Sequence, residues 1–191
     1  MNNIIATQYR RNFVLKNKGF KITTFLLFAF LLVLTGCKTK DDTRGKKAEE
    51  FANLFFEQVK VLQKTDNRIF PLEELNDNAD DEAKKTIKKY YDDMREYISE
   101  EQLIKYLNDQ EILSTKYYES NVTDYKIENF KAVPSDKKEG AVDATFDVTF
   151  INDSKAEIAK KSYKIRCMFD GDKMVDAFGE MFPPTEISQN K

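Results

Sequence analysis

The spacing of apolar residues changes once along this chain, and that change limits the fold more than any other feature. From residue 48 to about 107, apolar side chains recur every three or four positions; after Asn121 they alternate. The first spacing belongs to helices and the second to half-buried strands. In AVDATFDVTFI, Val142, Ala144, Phe146, Val148 and Phe150 share one face, and Asp143, Thr145, Asp147 and Thr149 share the other. KSYKIRCMF repeats the pattern, with Tyr163, Ile165, Cys167 and Phe169 set against Lys164 and Arg166. VTDYKIENFKAV and KMVDAFGEMF complete four strands, joined by PSDKKEG, NDSKAE and an Asp-Gly pair that signals a tight hairpin. Such a meander has one apolar face, and only the preceding helices are available to cover it. The expected fold is therefore α+β: N-terminal helices packed on a four-stranded antiparallel meander over residues 48–182, with 183–191 as a C-terminal tail.

The helical part divides at its polar breaks. In AEEFANLFFEQVKVLQ, Ala48, Phe51, Ala52, Phe55, Val59 and Leu62 form one stripe. Leu54, Phe56 and Val61 fall outside it, which predicts a central helix with neighbours on more than one side. Pro71 suits the first turn of a short helix that ends by Asn76 to Asn78. A second long helix spans Asp80 to Ile98, with Ala83, Ile87, Tyr90, Tyr91, Met94, Tyr97 and Ile98 on its apolar face. Asp80, Asp81 and Glu82 suit its N-terminus through the helix dipole. Ser99 and Gln102 read as a capping box opening a third helix with Leu103, Ile104 and Leu107 inward. EILSTKYYES extends that helix after a break at Asn108-Asp109.

Charge and composition exclude several classes of function. The first 36 residues carry five basic side chains and no acid, which leaves 26 basic against 33 acidic side chains in residues 37–191. That acidic balance is opposite to a nucleic-acid binder, so no nucleic-acid partner is expected. The chain has no histidine and two cysteines. Catalytic Ser-His-Asp and Cys-His arrangements and histidine- or thiolate-based zinc sites are thereby excluded. No cofactor, metal site or catalytic residue is assigned.

The N-terminal segment has its own logic. Arg10, Arg11, Lys16, Lys18 and Lys21 precede ITTFLLFAFLLVL, 13 residues from Ile22 to Leu34 and apolar but for two threonines. That length fits the core of a signal peptide and falls short of the ~20 residues of a membrane-spanning helix. The basic region is long for its role, which leaves room for a start codon downstream of Met1. The run ends in Leu34-Thr35-Gly36-Cys37, which resembles the lipobox of bacterial lipoproteins. The resemblance implies cleavage between Gly36 and Cys37 and acylation of Cys37, with residues 1–36 as the signal peptide and 37–47 as a polar tether. Alternatives are a Cys37–Cys167 disulfide, an uncleaved anchor, which Lys38 follows too closely, and a chance occurrence of the motif inside another type of signal. Lys38-Thr39-Lys40-Asp41-Asp42 resembles the export signal of surface lipoproteins in the Bacteroidetes group, shifted by one or two positions. A lysine at 38 also differs from the aspartate that retains enterobacterial lipoproteins in the inner membrane. The expected location is the outer membrane, on its periplasmic face or at the cell surface.

The order of helices followed by a curved sheet resembles the NTF2-like and cystatin-like groups of α+β folds, over about residues 48–182. Candidates for chemistry are few. Asp143 and Asp147 lie on one strand ~13 Å apart, beyond the separation of glycosidase carboxylates, and face Lys164 and Arg166 on the next strand. Asp77 to Glu82 is acid-dense but lacks the glycine and distant glutamate of a calcium loop. Tyrosines 90, 91, 97, 106, 117 and 118 sit at core spacing, with a ligand groove as the alternative. Cys167 alternates with core positions as a small buried residue. The expectation is a lipid-anchored, non-catalytic module that binds a protein or small ligand. Its alternatives are an NTF2-like enzyme using an Asp or Glu in an apolar pocket and a protective lipoprotein of the immunity or exclusion type.

Overall fold

The structure is a computed structural model that describes residues 40–65, 81–185 and 187. Helices α1 (Lys40–Lys64), α2 (Asp81–Arg95), α3 (Glu100–Asn108) and the short α4 (Thr115–Glu119) precede strands β1 (Val122–Pro134), β2 (Ala141–Asn152), β3 (Glu157–Asp170) and β4 (Lys173–Phe178). The strands form one antiparallel sheet in the order β1-β2-β3-β4. This is the α+β meander that the change of period implies. Cys37, Gly36 and the short helix expected at Pro71 lie outside the described residues.

Helix α1 crosses the inner face of the sheet antiparallel to β1. Near its start, a Cβ added at Gly45 would lie 3.3 Å from that of Ala132. Midway, the Tyr125 hydroxyl donates to the Asn53 carbonyl at 2.8 Å. At its end, Gln63 Nε2 donates to the Val122 carbonyl at 2.9 Å. The side chains between them form the core. Phe56 is fully buried, with its ring 5.0 to 6.2 Å from those of Phe55, Tyr125, Phe146, Phe150 and Tyr163. Edge-on and tilted packing at such distances adds to what the buried area contributes. Away from the sheet, α2 packs on α1 through Ile87, Tyr90, Tyr91 and Met94, all buried, and the Tyr90 hydroxyl donates to the Phe55 carbonyl. Helix α1 is therefore enclosed on more than one side, as Phe56 and Val61 outside its stripe require.

Four expectations need correction. The tether assigned to residues 37–47 gives way to helix from Lys40. Polar composition concealed a docked turn: Arg44 donates through Nε and Nη2 to the Gly171 carbonyl (3.1 and 2.6 Å), and its guanidinium lies 5.5 Å from the Phe169 ring centre. Ile104 is exposed rather than inward, while Gln102 and Tyr106 turn into the core and the Tyr106 hydroxyl donates to the Ala177 carbonyl at 2.9 Å. EILSTKYYES does not extend α3, because Gln110 and Leu113 adopt φ of 56° and 51° and break it before α4. Residues 183–191 are no free tail in their described part: Pro183, Pro184 and Ile187 are buried, and Ser120 Oγ donates to the Ile187 carbonyl.

The expected cap of α3 is present, with the Gln102 amide donating to Ser99 Oγ at 3.2 Å. A buried polar link closes the fold behind α1. Gln58 Nε2 donates to the Glu111 carbonyl, Gln58 Oε1 accepts from the Ser114 amide, and Glu111 Oε2 accepts from the Met181 amide at 2.7 Å. Three separate chain segments are tied there, which satisfies groups that would otherwise be orphaned.

Candidate functional site

The outer face of the sheet carries the polar half of each alternating strand, and pairing register sets who meets whom. Asp143 sits opposite Arg166, Asp147 opposite Ser162, and Thr149 between Lys126 and Lys160. Arg166 donates to both oxygens of Asp143, at 2.7 and 3.0 Å, and Ser135 Oγ donates to the same carboxylate. Those hydrogen bonds, led by Arg166, hold the Asp143 carboxyl below its ordinary range. Asp147 is lowered in the same way by Ser162 and then Asn129. Lys126 and Lys160 converge on Glu128, and Thr149, paired with both across the strands, is buried. Paired carboxylates of this kind stay ionised at neutral pH and are poorly suited to accept or deliver a proton.

At one end of this face lies a cleft of about 620 Å³, lined by Lys137, Lys138, Asp143, Lys164, Ile165, Arg166, Met168, Phe178 and Gly179. The turn between β1 and β2 forms its rim. Ser135 fastens that turn by donating its amide to the Ala141 carbonyl and accepting from the Lys137 amide on Oγ. Gly140, at φ 77°, lets the chain re-enter β2. Phe178 lies opposite Arg166 and is 47% exposed, while Val133, opposite Asp143, is 57% exposed. One row across the sheet thus reads Val133, Asp143, Arg166, Phe178: an ion pair between two exposed apolar side chains. Gly179 is required by close approach, since a Cβ there would meet the Lys164 carbonyl oxygen at 2.6 Å. Among the described residues Lys137, Lys138 and Lys164 make no ion pair. The cleft is a cationic recess bordered by the apolar side chains of Met168 and Phe178, suited to an anionic group that carries hydrocarbon.

A second cleft, about 590 Å³, lies between α1 and α2 and is lined by residues including Leu54, Glu57, Val61, Lys64, Asp81, Lys85, Tyr90 and Asp93. Its charges are mixed in sign, and it adjoins both ends of the undescribed segment 66–80.

The candidates from the sequence are largely accounted for by packing. Tyr90, Tyr91, Tyr106 and Tyr117 are buried in the core, and Tyr97 is packed at its margin. Cys167 is fully buried, and burial pushes its thiol up to about 12, so no thiolate forms at neutral pH. Two carboxyls are raised by burial, Glu111 and Asp176. Both accept backbone amides, Glu111 from Met181 and Asp176 from Ala177, and neither lines either of these two clefts. Among the described residues no three acidic, cysteine or histidine side chains converge as a metal site, and no helix is long and apolar enough to cross a membrane. Lys137 and Lys138 were legible only as turn residues. Their adjacency in PSDKKEG was the available signal, but the wall opposite them depends on β4.

No protein-family model matches the chain, and no curated protein matches it. Among solved structures, it is similar to a de novo designed beta-sheet protein determined by solution NMR. The match has 11% identity over 78% of this chain and 93% of that one, with a TM-score of 0.36. A likeness of that size carries no argument about fold or function.

Proposed function

We propose that this protein is a lipid-anchored outer-membrane module whose domain binds a ligand non-catalytically in the cleft on the outer sheet face. The observation that carries the anchor is the run from Ile22 to Leu34 followed by Thr35-Gly36-Cys37, with five basic residues before it. Acyl chains contribute ~0.8 kcal/mol per buried CH₂, so a multiply acylated Cys37 would hold the chain firmly in a bilayer. The observation that supports binding is the cleft itself: three lysines that make no ion pair among the described residues, beside Met168 and Phe178. The enzymatic reading would place a raised carboxylate in a pocket, whereas Glu111 and Asp176 are held elsewhere.

The test of the anchor is Cys37→Ser in cells fed a labelled fatty acid. Incorporation of label and membrane retention are expected for the natural chain, and loss of label with accumulation of uncut precursor for the variant. Unchanged processing and retention of the variant would sink the lipoprotein reading. Protease treatment of intact cells then distinguishes the periplasmic face from the cell surface.

A further inference from the structure

We propose that the cleft at Lys137, Lys138, Lys164 and Arg166 takes a phosphate-bearing lipid headgroup of the membrane that holds Cys37, so that the domain docks on the bilayer by its turn end. The inference rests on the lipoprotein reading above. Its geometry begins with α1. Only Lys38 and Thr39 separate Cys37 from the first residue of that helix. Three residue steps span at most about 11 Å even when fully extended. One helical turn further, about 6 Å, Arg44 is clamped to the Gly171 carbonyl in the turn between β3 and β4. An acylated Cys37 is therefore tied closely to one end of the domain.

That end carries the β1–β2 turn as well. Gly45 packs against Ala132 near the end of β1, and Gly140 approaches the Phe169 carbonyl beside the β3–β4 turn. Helix α1 leaves this end and finishes at Val122, at the other. The cleft thus opens at the same end as the anchor, on the opposite face of the sheet from α1. With the outer face of the sheet turned toward the bilayer at this end, its lysines would meet the phosphate layer, and Val133 and Phe178, both exposed and in one row four residues back from Asp170, would sit at the level of the headgroups.

Charge narrows the mode of contact. Asp136 and Glu139 in one turn, and Asp170 and Asp172 in the other, share this end without lining the cleft. The end as a whole is balanced, so attraction is concentrated in the recess rather than spread over the surface. Asp143 and Arg166 offset each other in their bidentate pair, so the net positive charge of the recess comes from Lys137, Lys138 and Lys164. A volume of about 620 Å³ accommodates a headgroup.

The chain contains no tryptophan, so Phe178→Trp supplies a unique fluorophore. The full acylated protein is reconstituted in vesicles of phosphatidylcholine and phosphatidylglycerol with brominated acyl chains, which quench nearby tryptophan. Phe178→Trp should be quenched well above Ser154→Trp, which marks the exposed β2–β3 turn at the far end. Adding Lys137→Gln and Lys138→Gln should shift the docked equilibrium by about fivefold per lysine and relieve the quenching. Val133→Trp, in the same row, is the second probe if Phe178→Trp does not fold, as judged by circular dichroism. Protein that floats with the vesicles while both ends quench equally, or while the lysine changes have no effect, overturns the headgroup site and leaves the anchor standing. Protein that carries no lipid and stays in solution overturns the anchor and this inference together. An emission change produced by polyglutamate without vesicles, and no quenching by lipid, would assign the cleft to an acidic protein and overturn the proposal.

Discussion

The two faces of β2 belong to the same twelve residues and have opposite physics. Val142, Ala144, Phe146, Val148 and Phe150 are sealed under α1 and its neighbours, each at most 2% exposed. On the other side, Asp143, Thr145 and Asp147 meet water and the polar side chains of β1 and β3. The inner face is specified by shape, since aromatic rings from three elements must interlock around Phe56. The outer face is specified by charge pairing and leaves a recess where pairing is incomplete. Stability therefore resides on one side and the capacity to bind on the other.

The strongest attempt to break that contrast is Phe56→Ala. Truncating a fully buried ring at the centre of the aromatic cluster should cost about 3–5 kcal/mol, read by urea denaturation with an unchanged slope. A loss under about 1 kcal/mol would show that the inner face is not the source of stability. Next is Gly179→Ala, which tests where the cleft depends on the fold. The new methyl collides with the Lys164 carbonyl, and about 1–3 kcal/mol of destabilisation is expected, with amide exchange quickening first in β4. A neutral Gly179→Ala would mean that the cleft floor yields freely.

Smaller effects sharpen the picture. Burial raises the Glu111 carboxyl above its ordinary 4.5, so the folded chain takes up a proton more readily than the unfolded one. Its contribution to stability is then complete below 4.5 and is lost as pH rises from there through the folded value. Glu111→Gln, which keeps an acceptor for the Met181 amide, should flatten the part of that decline due to residue 111. Thermal midpoints of both proteins across pH 4 to 8 measure it, and an identical slope would refute the assignment. The smallest change belongs to the outer face: Thr145→Gln, on the exposed side of β2 between Lys131 and Lys164, should stay within about 0.5 kcal/mol. A large loss there would erase the distinction between the faces.

The strands were readable because alternation needs only a list of residues. Every inward position named on β2 is buried, and the Asp-Gly hairpin falls between β3 and β4. Helix faces were read less evenly. The stripe of α1 holds, and the face of α2 holds as far as Met94, with Tyr97 and Ile98 past its end at Arg95; Ile104 was misplaced because a short helix offers two apolar sides, and Tyr106 takes the buried one to reach the Ala177 carbonyl. The start of α1 was hidden for a different reason: Lys40 to Lys47 has no apolar periodicity, and what holds it is a contact to Gly171, 127 residues away from Arg44. Pro183, Pro184 and Ile187 looked like a tail because their partners, Ser120 among them, are also remote in sequence.

By itself the sequence determined the class of fold and the inward faces of β2 and β3, which depend on neighbours within about ten positions. Tertiary structure decided that the helix begins at Lys40, that Asp143 is committed to Arg166, and that Lys137 and Lys138 share a cleft with Phe178 and Gly179. Those facts depend on strand register and on how the sheet closes around α1. Local periodicity carries no record of either, because it states which side of an element is apolar and never which residue stands across from it.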